Sequence, residues 1–318
     1  MAWVFRLADR VHPMLLPGLV LLFGALVYLP AMTATTGGFV REELAARQVV
    51  GTLLLFTVLP AYLIALIPAM RARTELFLGE LAGLASERDI AAIREQMLRM
   101  SPAVWPAMAA GVAFGAYQNP TFIGRMLETG EYHVLDVGFV AGAILIWVVV
   151  AVLLAWRLPT SRALSRLGEG LEVDLYRLDR LRPLARIATG DILVAVGAMA
   201  FSPLQSLDAE FRLGNYWPTI YVGLPAAAVL FLVPLWGVHR NLRRTKQRRL
   251  EALREQMDAI DRADIVRLEP LAAHLERVRG LSSWPVDLEI VARIFAYGII
   301  PPLAWVAAAL VENFIDSL

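Results

Sequence analysis

The residues of this chain best placed to do chemistry lie near its end. Glu312 and Asp316 are four apart, and with Trp305 and Ala308 they share one helical face. A small residue below two carboxylates suits the outer mouth of a cation pathway, where several copies would set acidic rings around an axis. Leu310 and Val311, beside that face, would supply an apolar gate. The same carboxylates equally suit a solvated helix end at a membrane surface, where acidic side chains are ordinary. Upstream stand Gly298 and the pair Pro301-Pro302. Each proline removes a backbone donor and clashes with the preceding turn. The helix is therefore expected to split into an inner part near 285–298 and an outer part near 302–316. Broken helices at membrane depth are tolerated where protein or a water-filled cavity surrounds them.

Two more charges fall inside apolar stretches. Asp191 and Arg293 sit at similar depth, and each is costly alone in hydrocarbon but much less so when paired. They either bridge at the inner mouth, or Asp191 rests in the first turn of its helix on the dipole while Arg293 snorkels to the interface. Trp105, Tyr117, Trp147 and Tyr221 are candidates for an apolar ligand pocket between helices. An interfacial aromatic belt also accounts for Tyr117 and Tyr221, together with Tyr132, Tyr216 and Trp217. The run from His239 to Arg249 reads HRNLRRTKQRR, so Arg240, Arg243, Arg244, Lys246, Arg248 and Arg249 form a basic helix suited to anionic lipid headgroups. Lipid is sufficient cause for such a cluster, and nucleic acid is not an expected partner.

Enzyme chemistry finds little support. Glu42-Glu43-Leu44-Ala45-Ala46-Arg47 fits the EExxxR element of intramembrane CAAX-type proteases, but His12, His133, His239 and His274 have none of the companion histidine contexts. The chain has no cysteine, and no HExxH, GxSxG or P-loop occurs. No catalytic residue, metal site or cofactor is expected.

The elements that must position these residues are membrane spans. Of 318 residues 58% are hydrophobic, and the mean hydropathy is +0.58. The excess lies in blocks of about 17–25 residues, enough to cross a hydrocarbon core of roughly 30 Å. Spans are expected at 14–32, 49–70, 102–118, 134–156, 187–204, 217–237 and 289–313. The first reads as a retained span, with no small-residue cleavage site after its basic flank. Basic residues number two in 1–13, five in 71–101, seven in 157–186 and eleven in 238–287, against Arg41, Arg47, Arg125 and Arg212 in the alternate loops. Arginine-rich short loops mark the cytoplasm, which sets the amino terminus inside and the carboxyl terminus outside. Twenty-nine of the thirty basic residues are arginine, a usage typical of a GC-rich bacterium, and the expected location is the bacterial inner membrane.

The expected fold is therefore an all-α polytopic membrane protein of seven transmembrane helices, with long cytoplasmic helical extensions and a proline-broken last helix. It divides into 1–70 with the first two spans, an amphipathic helix at 71–101, spans three and four in 102–156, linker helices in 157–186, spans five and six in 187–237, a helical hairpin in 238–285, and the divided helix in 286–318. Apolar stripes at steps of three and four (Ile90, Ile93 and Met97; Leu268, Leu271, Leu275 and Val278) require these inner helices to pack as a bundle, within one chain or between chains. A faint echo links Ala113-Phe114…Gln118 to Ala200-Phe201…Gln205, at the outer ends of the third and fifth spans.

This layout resembles that of the insect odorant and gustatory receptors: seven spans, short outer loops, an extended sixth helix, a division at Pro301-Pro302 and a chain end soon after. The resemblance is one of architecture along the whole chain, without a shared motif. It implies a homo-oligomeric channel, a tetramer, held together by cytoplasmic helices, with the outer half of helix seven lining a cation pore. A small apolar ligand would open it from a pocket among spans two to six. The alternatives are a secondary transporter, suggested by the internal echo and by Pro60, Pro225 and Pro234, and a signalling scaffold acting through its cytoplasmic helices.

Overall fold

The computed structural model describes residues 43–99, 101–129, 134–207, 217–260 and 264–285, with single positions at 18, 21, 22, 24, 292 and 296. The described chain is all-helical. In order it forms α1 (Glu43–Glu80), α2 (Glu87–Leu98), α3 (Val104–Tyr117), α4 (Pro120–Thr129), α5 (Val134–Gly170), α6 (Arg182–Met199), α7 (Leu224–Asp258) and α8 (Ile265–Gly280). A 3-10 turn at Leu178–Leu181 leads into α6, another follows it at Ser202–Leu207, and a π-helical turn at Thr219–Gly223 leads into α7.

Four stretches are long and apolar enough to cross a membrane: Gly51–Glu80, Val137–Gly170, Leu178–Gln205 and Thr219–Asp258. They coincide with the second, fourth, fifth and sixth expected spans. The third expected span is a helix of only 14 residues. At 1.5 Å per residue it is about 21 Å long, short of a roughly 30 Å core. The first and seventh expected spans lie outside the described residues apart from the single positions above. Gly24 is one of these, and a Cβ there would strike the Thr57 side chain on α1.

The long helices do not stop where their apolar runs stop. α1, α5 and α7 contain 38, 37 and 35 residues, or about 52–57 Å each. Each carries its apolar run directly into an arginine-rich extension. Between α1 and α2 the amphipathic stretch breaks into a turn at 81–86. Ser86 starts α2 by accepting from the Asp89 amide at 3.2 Å while its hydroxyl donates to the Asp89 carboxylate at 2.6 Å. Asp264 starts α8 in the same way, accepting from the Arg267 amide.

At the arginine-rich end these extensions close on one another within the one chain. Leu78 and Leu81 of α1, Ile90, Ile93 and Met97 of α2, Leu164 and Leu167 of α5, Leu184 of α6, Leu242 of α7 and Val278 of α8 form a single buried cluster. Leu76, within the expected amphipathic stretch 71–101, is 63% exposed. Backbones approach closely where glycine allows it: a Cβ on Gly237 of α7 would run into the Ser165 carbonyl of α5, and one on Gly168 into Val238. Asn241 of α7 donates to the Gly168 and Leu171 carbonyls at 3.0 and 2.8 Å, tying down the end of α5. At the other end, Gly111 and Gly115 on one face of α3 lie against the α5 backbone at Trp147, Val148 and Ile144, where a Cβ would meet atoms at 2.6–2.8 Å. Helix α5 is thus the hub, packed against α1, α2, α3 and α7.

Candidate functional site

Between the apolar halves of α1, α5, α6 and α7 lies a cavity of about 510 Å³. Its walls come from the second buried cluster, including Leu55, Phe56, Leu59, Ala143, Ile146 and Val194. Among the described residues that line it, none carries a charge. Trp147 is one of the lining residues, held edge-on by Phe114 of α3 at 4.6 Å between ring centres.

One helical turn beyond the lining residues Leu154 and Val194 stands a charged cluster sealed from solvent. Arg157 of α5 is 0% exposed and Asp191 of α6 is 2% exposed. The Arg157 Nε donates to Asp191 Oδ2 at 2.8 Å, and its Nη2 donates to Thr74 Oγ1 on α1 at 2.9 Å. Thr74 in turn donates to the Met70 carbonyl at 2.8 Å. Three helices that wall the cavity are therefore tied at one point. Arg73 lies close by, because Gly190, next to Asp191, has no side chain to exclude it: a Cβ there would stand 3.0 Å from Arg73 Cδ and Nε. Among the described residues, Arg157 Nη1, Thr160 Oγ1 and Ser161 Oγ are buried without a hydrogen-bond partner, a cost of about 1–3 kcal/mol for each such group. The cluster fixes helix positions at an energetic expense, as buried ion pairs commonly do.

Asp191 is held by Arg157; Arg293, its expected partner, lies outside the described residues. Asp191 does not occupy the first turn of its helix. α6 begins at Arg182, nine residues earlier, beyond the reach of the helix-end dipole. Of the four aromatics expected in a pocket, only Trp147 is among the described lining residues. Trp105, Tyr117 and Tyr221 stand on the helix surface, 62%, 77% and 68% exposed. Trp105 and Tyr117 mark opposite ends of α3, and Tyr221 stacks on Trp217. That is the disposition of an interfacial belt, where rings sit at headgroup level.

Within the basic helix, Arg243, Arg244, Arg248 and Arg249 are exposed. Arg240 pairs with Glu169 at 3.0 Å, and Lys246 donates to the Arg279 and Leu281 carbonyls, both at 2.7 Å, closing the end of α8. The helix-break residues Gly298, Pro301 and Pro302, and the pore candidates Trp305, Ala308, Leu310, Val311, Glu312 and Asp316, lie outside the described residues.

Sequence reasoning missed Arg157, which it counted among loop arginines. The available signal was that no proline or glycine separates it from the apolar run before it. Asn241 was missed in the same way, inside a run read only for its charge.

Compared with known proteins, the chain matches no family model, no curated protein and no solved structure.

Proposed function

We propose that this is a ligand-responsive membrane protein. A small, mostly apolar molecule seats in the cavity among the second to sixth spans and shifts the helices that continue into the arginine-rich bundle. The observation that carries this reading is the position of the cavity, one turn from the Arg157–Asp191–Thr74 cluster. A ligand can bias only an element that has alternative arrangements with different affinities for it. Three cavity helices joined at one partly satisfied polar cluster are such an element.

The charge segregation supports a bacterial inner-membrane location with the bundle in the cytoplasm. The architectural resemblance of the sequence to the insect receptors supports a homo-oligomeric, tetrameric assembly. Its output would be a cation pathway lined by the outer half of the last helix, with Glu312 and Asp316 at the mouth.

The absence of cysteine allows a clean labelling test. Spin labels on cysteines placed at Ala92 and Glu251, both exposed, report the bundle, and Trp147 reports the cavity. Titration of 1-bromododecane into protein in nanodiscs is expected to give saturable quenching that Trp147→Phe removes, with a concurrent change in the spin–spin distance distribution. Quenching that rises linearly with bilayer content, or a distance distribution that does not move, refutes the coupling. Ion flux in liposomes tests the output separately: Glu312→Gln is expected to lower cation selectivity, and absence of any cation flux removes the pore.

A further inference from the structure

The polar lining of the cavity is confined to one end. Thr52 of α1, Gln118 and Asn119 after α3, Ser202 and Gln205 after α6, and Thr219 before α7 all lie at the end remote from the arginine-rich bundle. The opposite end is walled by Leu63, Leu153, Leu154, Val194, Ala195 and Leu230. From Thr52 to Leu63, and from Thr219 to Leu230, the lining extends about 16 Å along the helix axis at 1.5 Å per residue. The cavity is therefore a shaft, polar at its mouth and apolar at its floor.

The chemistry of the mouth is narrower than mere polarity. Asn119 is committed to the Gly115 carbonyl at 3.0 Å and Ser202 to the Met199 carbonyl at 2.7 Å. Gln118 and Gln205 line the same cavity, and their carboxamides are bonded to no described group. A carboxamide presents both a donor and an acceptor, which matches a hydroxyl, ester or amide. An ionic head would have no countercharge among the described lining residues, and burying one unpaired is strongly unfavourable. The charges nearest the floor, Arg157 and Asp191, are committed to each other. These two glutamines are also the matched positions of the faint sequence echo, Ala113-Phe114…Gln118 and Ala200-Phe201…Gln205.

We infer that the occupant is a neutral single-chain amphiphile, its uncharged hydroxyl, ester or amide head held by Gln118 and Gln205 and its hydrocarbon chain running to the floor at Leu153 and Val194. The inference rests on the cavity being a ligand seat and adds the class of ligand. A charged amphiphile of equal chain length binds far more weakly.

The test uses the full chain in phosphatidylcholine nanodiscs and a dodecanol bearing a photoreactive diazirine on its chain, with labelled sites mapped by mass spectrometry. Labelling is expected to saturate, to map to the segments around Leu153 and Val194, and to be displaced by 1-dodecanol. Dodecanesulfonate and dodecyltrimethylammonium share the chain but carry a charge, and should need at least about tenfold more for the same displacement. Gln118→Leu combined with Gln205→Leu is expected to weaken displacement by the alcohol about tenfold. Each single substitution takes part of that loss and serves if the pair prevents folding. Equal displacement by either charged analogue overturns the neutral head but leaves the seat intact. Undiminished displacement in both single glutamine variants overturns the assignment of the head. Labelling that never saturates, or that Ala195→Phe leaves unchanged, removes the seat and the proposed function with it.

Discussion

On α5, two leucines eleven residues apart sit in different surroundings. Leu164, at the arginine-rich end, is wholly buried and belongs to a cluster that includes Leu78, Leu81, Met97, Leu184, Leu242 and Val278. Leu153, in the apolar half, is 5% exposed yet faces a cavity of about 510 Å³. One half of the bundle closes on itself, and the other leaves room. Hydrocarbon outside a membrane span is as apolar as a leucine, so the drive to pack helices tightly is weaker there than in water. The extensions have only their own apolar stripes to remove from solvent, and they bury most of them in one cluster.

The join between the halves should be the most sensitive point. Removing one partner of a buried ion pair leaves an uncompensated charge, at about 3–5 kcal/mol. Asp191→Ala or Arg157→Met is therefore expected to lower the thermal unfolding midpoint sharply. The double substitution Arg157→Met with Asp191→Leu should recover most of that loss, because an apolar pair of similar bulk is tolerated. If either single variant is as stable as the parent, the cluster is not what holds α1, α5 and α6 together. The double variant also asks whether bundle movement on ligand binding needs the cluster or merely passes it.

Next in size is the leucine comparison itself. Leu164→Ala opens a new void in a closed core and should cost about 3–5 kcal/mol, whereas Leu153→Ala enlarges space already present and should cost nearer 2 kcal/mol. Equal losses would show that the cavity is no looser than the core below it. Gly115→Val probes the tightest contact of the apolar half. Its Cβ would meet the Ile144 Cα at 2.6 Å, so the expected loss is about 1–3 kcal/mol by overpacking, measured by denaturation in micelles.

The helices themselves were legible in the sequence, because their signals are local. The apolar blocks locate the four long spans, and the stripe Ile90, Ile93 and Met97 is the face that α2 buries. The break before that helix was not read: 71–101 was expected as one helix, and the structure divides it at 81–86, with Ser86 capping the second part. The site was far less legible. Arg157 and Asp191 are 34 residues apart, and the one local signal, that Arg157 directly continues an apolar run, does not say which residue it meets. The cavity is a property of elements distant in sequence, from Thr52 to Leu230. Its one sequence trace, the paired glutamines, gains meaning only once both are seen to line one space. Of the aromatic candidates Trp147 lines the cavity and the other three do not, for a related reason: ring size marks a residue as able to line a pocket, but the helix face it occupies is decided by tertiary packing.

The smallest expected effect concerns the single lysine. Lys246 was read as one of six cations facing lipid, but its ammonium caps the carbonyls of Arg279 and Leu281 and holds α8 to α7. An ammonium presents three donors on a flexible stem and can meet two convergent carbonyls, where a planar guanidinium needs a matched fork. Lys246→Met is therefore expected to cost about 1 kcal/mol and to raise amide exchange in α8 without changing exchange in α6. Lys246→Arg should restore only part of the protection. By contrast, Arg243→Gln with Arg248→Gln should leave α8 exchange untouched and instead weaken binding to vesicles containing phosphatidylglycerol, an effect that salt erases. If the lysine and arginine variants behave alike, the basic helix is a uniform lipid-facing surface. If they separate, Lys246 belongs to the closed half of the protein and the exposed arginines to the membrane beside it.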